Sequence, residues 1–184
     1  MITIKNATKE ELGELMNAHH ENVFKEEFDF NIGAVLSDKE KKSIDKLRQN
    51  EKHKFVYRLI AKINDEPVGW SFGFQTRSDA CYMCNSAVLP NYRKKGVYNA
   101  LMKEAVKVAS SDGFQTIYGE HKLHNNPIII AKLKAGFEVT GLSLNDSFGN
   151  LLRLTYYTNK KRKDLLHVRS GLRKPSAEDL NLIE

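Results

Sequence analysis

Arg93, Lys94, Lys95 and Gly96 follow one another between two stretches of different character. Before them, Asn85–Leu89 closes a β-like run, and Pro90 stops it because proline has no N–H to give a sheet ladder. After them, Val97, Leu101, Ala105 and Val108 recur at helical spacing, with Tyr98 and Met102 beside them. A helix start offers backbone N–H groups without internal partners and a partial positive charge. Gly96 lets a ligand approach the backbone closely. With three cations alongside, the turn reads as an anion site, most naturally for phosphate. The same residues would also suit an ordinary basic strand–helix turn.

Other residue types with chemical potential say less. Cys81 and Cys84 form a C-x-x-C, but CYMCNSAV reads as strand, where positions three apart point to opposite faces. A redox pair would open a helix, and no set of zinc ligands accompanies the two, so reduced structural thiols are expected. His19 and His20 are adjacent and face different ways, with no metal-like partner at helical spacing. No metal site is expected. Glu21, Glu26, Glu27 and Asp29 are interleaved with Phe24, Phe28 and Phe30. That pattern fits an acidic, aromatic-lined mouth for a cationic amine, or a solvated helix face.

The elements that would position these groups can be read in order. Ile2 and Ile4 alternate with polar neighbours in a short strand. Thr8 and Glu11 form a capping box ahead of the apolar face Leu12, Leu15, Met16, His19 and Val23, and Ser37 and Glu40 form another before a charged helix. Phe55–Ile63 alternates, Asn64–Pro67 turns, and Val68–Gln75 returns as a hairpin, with Gly69 and Gly73 marking bulges or close approaches. Cys81–Leu89 adds a third strand before the basic turn. The helix from Val97 stops near Gly113, and Gln115–His121 is the next strand, which requires a parallel crossover. A short helix over Pro127–Lys134 ends at Gly136, and a second hairpin runs through Phe137–Leu144 and Leu151–Tyr157.

At 184 residues the chain suits one domain, 1–158, followed by a basic tail, 159–184. The formal charge of +6 comes largely from Arg93–Lys95 and from Lys160–Lys174. The tail suits an acidic partner, nucleic acid or water alone, and nucleic acid is the least expected of these. No apolar run approaches the roughly 20 residues of a membrane span, and the N-terminal residues lack a secretory pattern, so a cytoplasmic protein without membrane partners is expected.

Val88, Pro90, Tyr92, Arg93 and Gly96 resemble motif A of the GNAT superfamily of N-acetyltransferases, with Tyr98 where a small residue is usual. Asn125 followed by Ile128–Ile129 and Gly136–Phe137 resembles a second motif of that family. The likeness covers roughly residues 1–158. It implies an α/β (α+β) GNAT fold with a mixed sheet of about seven strands, a splayed parallel pair and about four flanking helices. It also implies acetyl-CoA as cosubstrate and direct acetyl transfer to a primary amine, whether a small molecule, a protein N-terminus or a lysine. By resemblance, Ala87 and Val88 bind the thioester arm, backbone amides over Arg93, Lys94, Lys95, Gly96, Val97 and Tyr98 hold the pyrophosphate, and Asn125 takes the far side of the arm. Glu120 stands where the branch acting on ribosomal-protein N-termini has its general base. Lys132 stands where that branch has a tyrosine that protonates the leaving thiolate. Tyr98 and Lys132 also suit a rival reading, a GNAT-fold acyl-CoA-binding module without turnover. A homodimer is compatible with either.

Overall fold

The computed structural model describes residues 1–24, 36–49 and 54–180, with no side-chain description over 46–49. Its elements in order are β1 (Ile2–Asn6), α1 (Lys9–Phe24), α2 (Asp38–Gln49), β2 (Val56–Ile63), β3 (Glu66–Arg77), β4 (Ala80–Val88), α3 (Val97–Ser111), β5 (Thr116–Lys122), α4 (Asn126–Lys134), β6 (Glu138–Asn145), β7 (Gly149–Tyr157), α5 (Lys160–Arg169) and α6 (Ala177–Leu180). The strands form one sheet in the order β1-β2-β3-β4-β5-β7-β6. Only β4 and β5 run parallel among neighbours, as the crossover through α3 requires. Phe28, Phe30, Glu26, Glu27 and Asp29, the greater part of the acidic mouth read from the sequence, lie outside the described residues.

Local chemistry explains the starts and turns. The Glu11 amide donates to Thr8 Oγ1 at 3.1 Å while the Thr8 amide donates to Glu11 Oε2 at 2.9 Å, a reciprocal cap for α1. Ser37 and Glu40 do the same for α2. Between β2 and β3, Asn64 and Asp65 both take positive φ, 50° and 64°, the geometry that matches a two-residue turn to strand twist.

Two apolar layers sandwich the sheet. On one face α3 buries Val97, Leu101, Met102, Ala105 and Ala109 against Tyr57, Leu59, Ala61, Cys81 and Met83, and the layer continues to Ile117, Phe137 and Leu154. Truncating a fully buried leucine such as Leu101 to alanine costs about 2–5 kcal/mol in such a layer. On the other face Leu12 of α1 packs with Trp70, Ala87 and Leu89. The Trp70 indole N–H donates to Asn85 Oδ1 at 2.8 Å, so the buried ring leaves no polar atom unpaired. Cys81 is buried in the α3 layer, Cys84 is exposed, and both are free thiols.

The residues after Tyr157 fold back onto the sheet. Asn159 caps α5 by accepting from the amides of Lys161 and Arg162. Arg162 then pairs with Asp79 at 3.0 Å and Lys163 with Glu138 at 2.6 Å. Part of the basic charge is met within the tail itself: Lys161 pairs with Glu178, and Arg173 grips Asp179 with both terminal nitrogens.

Candidate active site

The β4–β5 pair is parallel for only three residues on each strand, Ala80–Tyr82 against Thr116–Tyr118. Beyond that point β4 continues to pair with β3 through Val88, and β5 continues to pair with β7 through Lys122. The facing edges of Met83–Val88 and Gly119–Lys122 are therefore unpaired with each other. Edges of this kind carry free N–H and C=O groups and accept an extended ligand as if it were a strand.

The basic turn lies at the far end of β4. Lys94 and Gly96 both adopt left-handed backbone, φ 61° and 82°. Gly96 is the N-cap of α3 and supplies no side-chain cap, and the first helical bond runs from Ala100 N to Gly96 O. The amides of Val97, Tyr98 and Asn99 thus have no partner within the helix. The three cations differ. The Arg93 guanidinium is engaged structurally, with Nε donating to Val88 O and Nη2 to Val23 O at the end of α1. Lys95 lies over the Tyr92 ring, 5.2 Å from its centroid, and Lys94 is exposed. The Tyr98 ring packs against the core layer that α3 covers, and burial raises its phenol above the ordinary range.

Alternation along β5 sends Gly119 and His121 to one face and Tyr118 and Glu120 to the other. On the α3 and α4 face, Lys132 reaches from α4 to the start of the gap and is 1% exposed. Its ammonium lies 3.7 Å from Met83 Sδ and 4.7 Å from the Phe137 ring centroid. It touches Gly119 so closely that any side chain there would collide with Nζ. Among the described residues no carboxylate compensates it. Burial lowers the Lys132 pKa from 10.5 to about 7. His121 shares this space: its Nε2 has no hydrogen-bond partner, and burial, with the Lys132 charge second, lowers its pKa from 6.5 to about 3.

On the opposite face Glu120 is held by its cross-strand neighbour. Arg153 donates to Glu120 Oε1 through Nε at 3.1 Å and Nη2 at 2.8 Å, and Ser143 adds a third bond at 3.2 Å. All three converge on one oxygen, which leaves Oε2 open. The Arg153 guanidinium also lies over the Tyr118 ring at 4.9 Å. Asn125 is the N-cap of α4, its side chain making no cap bond, at the C-terminal end of β5. Ala87 and Val88 stand on the open edge of β4.

The fold thus brings Glu120, Lys132, Ala87, Val88 and Asn125 around one gap, with the Lys94–Tyr98 turn at its end. Sequence reasoning missed Arg153, Ser143, His121 and Met83. For His121 the signal was present, since alternation puts it across the strand from Glu120 and beside the gap. For the others it depends on strand register and helix placement.

The acetyltransferase (GNAT) family profile matches residues 17–137. No curated protein is significantly similar in sequence. Many solved structures share the fold, among them the following three. The ribosomal-protein-S18-alanine N-acetyltransferase of Escherichia coli is 16% identical, with a TM-score of 0.63 over 85% of this chain and 94% of that one. The yncA protein of Salmonella typhimurium, solved with its cofactor acetyl-CoA, is 15% identical, with a TM-score of 0.64 over 86% and 95%. A Bacillus subtilis acetyltransferase in complex with CoA is 18% identical, with a TM-score of 0.59 over 86% and 100%. With seven strands in mixed order, one splayed parallel pair and a family match over most of its length, this chain belongs to the GNAT acetyltransferase family.

Proposed function

We propose that the protein is an acetyl-CoA-dependent N-acetyltransferase that acts on a primary amine by direct transfer within a ternary complex. The observation that carries this reading is the unpaired edge of β4 beyond Tyr82, leading straight into a turn with free amides and left-handed backbone at Lys94 and Gly96. The edge suits the pantetheine arm through backbone groups at Ala87 and Val88. The turn suits the pyrophosphate through the amides of Lys94 to Tyr98. Asn125, uncommitted at the start of α4, suits the opposite side of the arm. In this reading Arg93 positions the turn rather than contacting phosphate, since its guanidinium is committed to backbone carbonyls.

The acceptor arrives as an ammonium and must lose a proton before its nitrogen can attack. Glu120 Oε2 is the oxygen free to take it, directly or through a water. As the N–C bond forms and the C–S bond breaks, the departing sulfur takes a proton from Lys132, the nitrogen sheds its second proton and Lys132 is recharged, directly or through solvent, and the products are an amide and a free thiol. Burial is what suits Lys132 to this step. A thiol has a reference pKa of about 8.5, so an ordinary lysine near 10.4 is a weaker acid than the group it must protonate. At about 7, Lys132 is the stronger acid, and proton transfer to sulfur runs downhill.

The test has two parts. Calorimetry should detect acetyl-CoA binding that Gly96→Asp abolishes, because the substitution puts bulk and negative charge at a left-handed position among the free amides. Thiol release with a panel of amines should then exceed the rate without acceptor. Unchanged affinity in a folded Gly96→Asp variant overturns the cofactor assignment. Binding without turnover of any amine favours a second reading, an acyl-CoA-binding module, to which the commitment of Glu120 Oε1 to three donors lends weight.

A further inference from the structure

Below the gap, on the Glu120 face, lies a cleft of about 300 Å³ formed by the ends of β3 and β7, the start of β5, and α5. Three arginines line it, Arg77, Arg153 and Arg162, together with threonine hydroxyls and the Tyr157 ring, and among the described residues no acidic side chain does. Three carboxylates stand nearby; Glu138, beside Tyr157, is taken up by Lys163, and the other two do not balance the three arginines. Glu120 takes two of the five N–H donors of Arg153. Asp79 takes one donor of Arg162 at 3.0 Å, and approaches Arg77 only to 3.9 Å, too far for a hydrogen bond. Most of the guanidinium donors therefore remain uncommitted around a concave surface with one excess positive charge. The hydroxyls there are largely satisfied among themselves: Tyr118 donates to Thr76 Oγ1, and Thr140 bonds Thr155. The cleft is thus short of acceptors and rich in charged donors, which is what a carboxylate or phosphate requires.

Its place relative to the chemistry is set by the strands. Tyr118 lines the cleft and belongs to the last parallel pair before the gap opens. Glu120 is the next residue on the same face of β5, about 7 Å further along. Arg153 joins the two, with its ring contact on Tyr118 and its hydrogen bonds on Glu120.

We infer that this cleft binds an anionic group of the acceptor, a carboxylate or a phosphate, and so selects small amines that carry such a group about 7 Å from the reacting nitrogen. The inference rests on the acetyltransferase reading and deepens it. Arg162, from the helix after the sheet, would then be part of the acceptor site rather than of a solvated tail. Arg77 and Arg162 would set acceptor affinity, and Arg153 would serve both the anion and Glu120.

Direct binding tests the cleft without relying on turnover. The full chain, saturated with CoA, is titrated with glutarate and with inorganic phosphate and followed by amide NMR, with propylammonium chloride as control. Saturable binding of either anion, with shifts at Thr76, Thr116 and Tyr118, is expected, weakened at least tenfold in Arg77→Gln and in Arg162→Gln. Glutarate and phosphate distinguish the two anion types. Absence of saturable binding by both, or affinities equal to wild type in both variants, overturns the inference. Acceptor pairs of matching length then test its use in catalysis: δ-aminovalerate against n-butylamine, and the phosphate ester of propanolamine against propanolamine. The acidic member of a pair should have a kcat/KM at least tenfold higher, mostly through KM. Equal turnover of both members overturns the inference while leaving acetyl transfer intact. Anion binding through the arginines with no amine turned over supports the cleft and overturns the transfer reading instead.

Discussion

On one face of β5, Glu120 sits among three hydrogen-bond donors with Arg153 as counter-ion and its side chain 17% exposed. On the other face, one residue along, His121 shares a dry space with Lys132, and neither meets a carboxylate among the described residues. The same strand therefore offers a charged, compensated group to one side and, to the other, an imidazole that shares its surroundings with the buried Lys132 of α4. The sheet acts as a partition. In the proposed transfer, the proton acceptor would be Glu120, where donors and solvent meet its charge, and the proton donor would be Lys132, where burial lowers its pKa. Period-two alternation is enough to achieve both within three residues, at the point where the strands part.

The largest effect is expected at Glu120. Glu120→Gln should lower kcat by roughly 100-fold, a typical loss for a general base, with little change in acetyl-CoA affinity. A pH–rate profile that keeps the wild-type rate and the same limbs would place the base elsewhere.

Lys132 should give the next effect, and one of opposite sign in stability. Its pKa is about 7 when folded and near 10.5 when unfolded, so between those values the unfolded chain binds more protons and stability rises with pH. Below pH 7 the folded protein carries the full cost of a buried charge. Lys132→Met should therefore raise the melting temperature by several degrees at pH 6, with a smaller gain at pH 9, while lowering kcat by roughly tenfold. His121 adds to the same trend, because its folded pKa of about 3 withholds a proton that the unfolded chain takes up below about 6.5. In the wild type kcat should fall as pH rises through about 7. Lys132→Tyr should be tolerated and move that limb upward, since a phenol keeps its proton to about 10. A limb that stays in place would remove Lys132 from the proton path.

Gly119→Ala acts on Lys132 without replacing it. The added methyl would lie 2.4 Å from Lys132 Nζ, inside contact distance, and should push the ammonium toward water. The expected result is a kcat limb shifted upward and a loss of a few-fold in rate, read from the same pH–rate profiles.

The smallest effect on the fold is expected from ending the chain after Asn159, which removes the half-buried Arg162–Asp79 and Lys163–Glu138 pairs and, with Arg162, one wall of the anion cleft. Partly solvated pairs contribute little each, so the domain should remain folded and bind acetyl-CoA with a melting temperature lower by a few degrees. A large drop, read by calorimetry, would mean that α5 is integral to the fold.

The elements were legible in the sequence because they rest on local rules. Both capping boxes, the β2–β3 turn and the split facing of Cys81 and Cys84 follow from residues within a few positions of each other. The candidate site was legible only where a motif marked it. Arg153 is 33 residues from Glu120 and Ser143 is 23 away, and they meet only through the register of β5 with β7 and β7 with β6. The burial of Lys132 runs against its type. Around it on α4, Ile130 and Leu133 are exposed while the lysine faces inward, so apolar periodicity would have turned the helix the other way. Arg93 likewise read as a free cation, and its commitment to Val23 depends on where α1 ends, 70 residues earlier.

The strand order also has a consequence for biosynthesis. β7 lies between β5 and β6, although it follows both in the chain. On the β4 side β5 is paired over only three residues, so its other edge must wait for Gly149–Tyr157 to emerge. At the usual 5–20 residues per second this leaves a few seconds in which a growing chain displays a strand with most of its hydrogen-bonding groups unmet. Crowded ribosomes on one message would hold several such edges close together, each a template for the next. Because β6 and β7 are joined by the short Asn145–Gly149 turn, a hairpin already paired within itself would end that exposure on docking against β5.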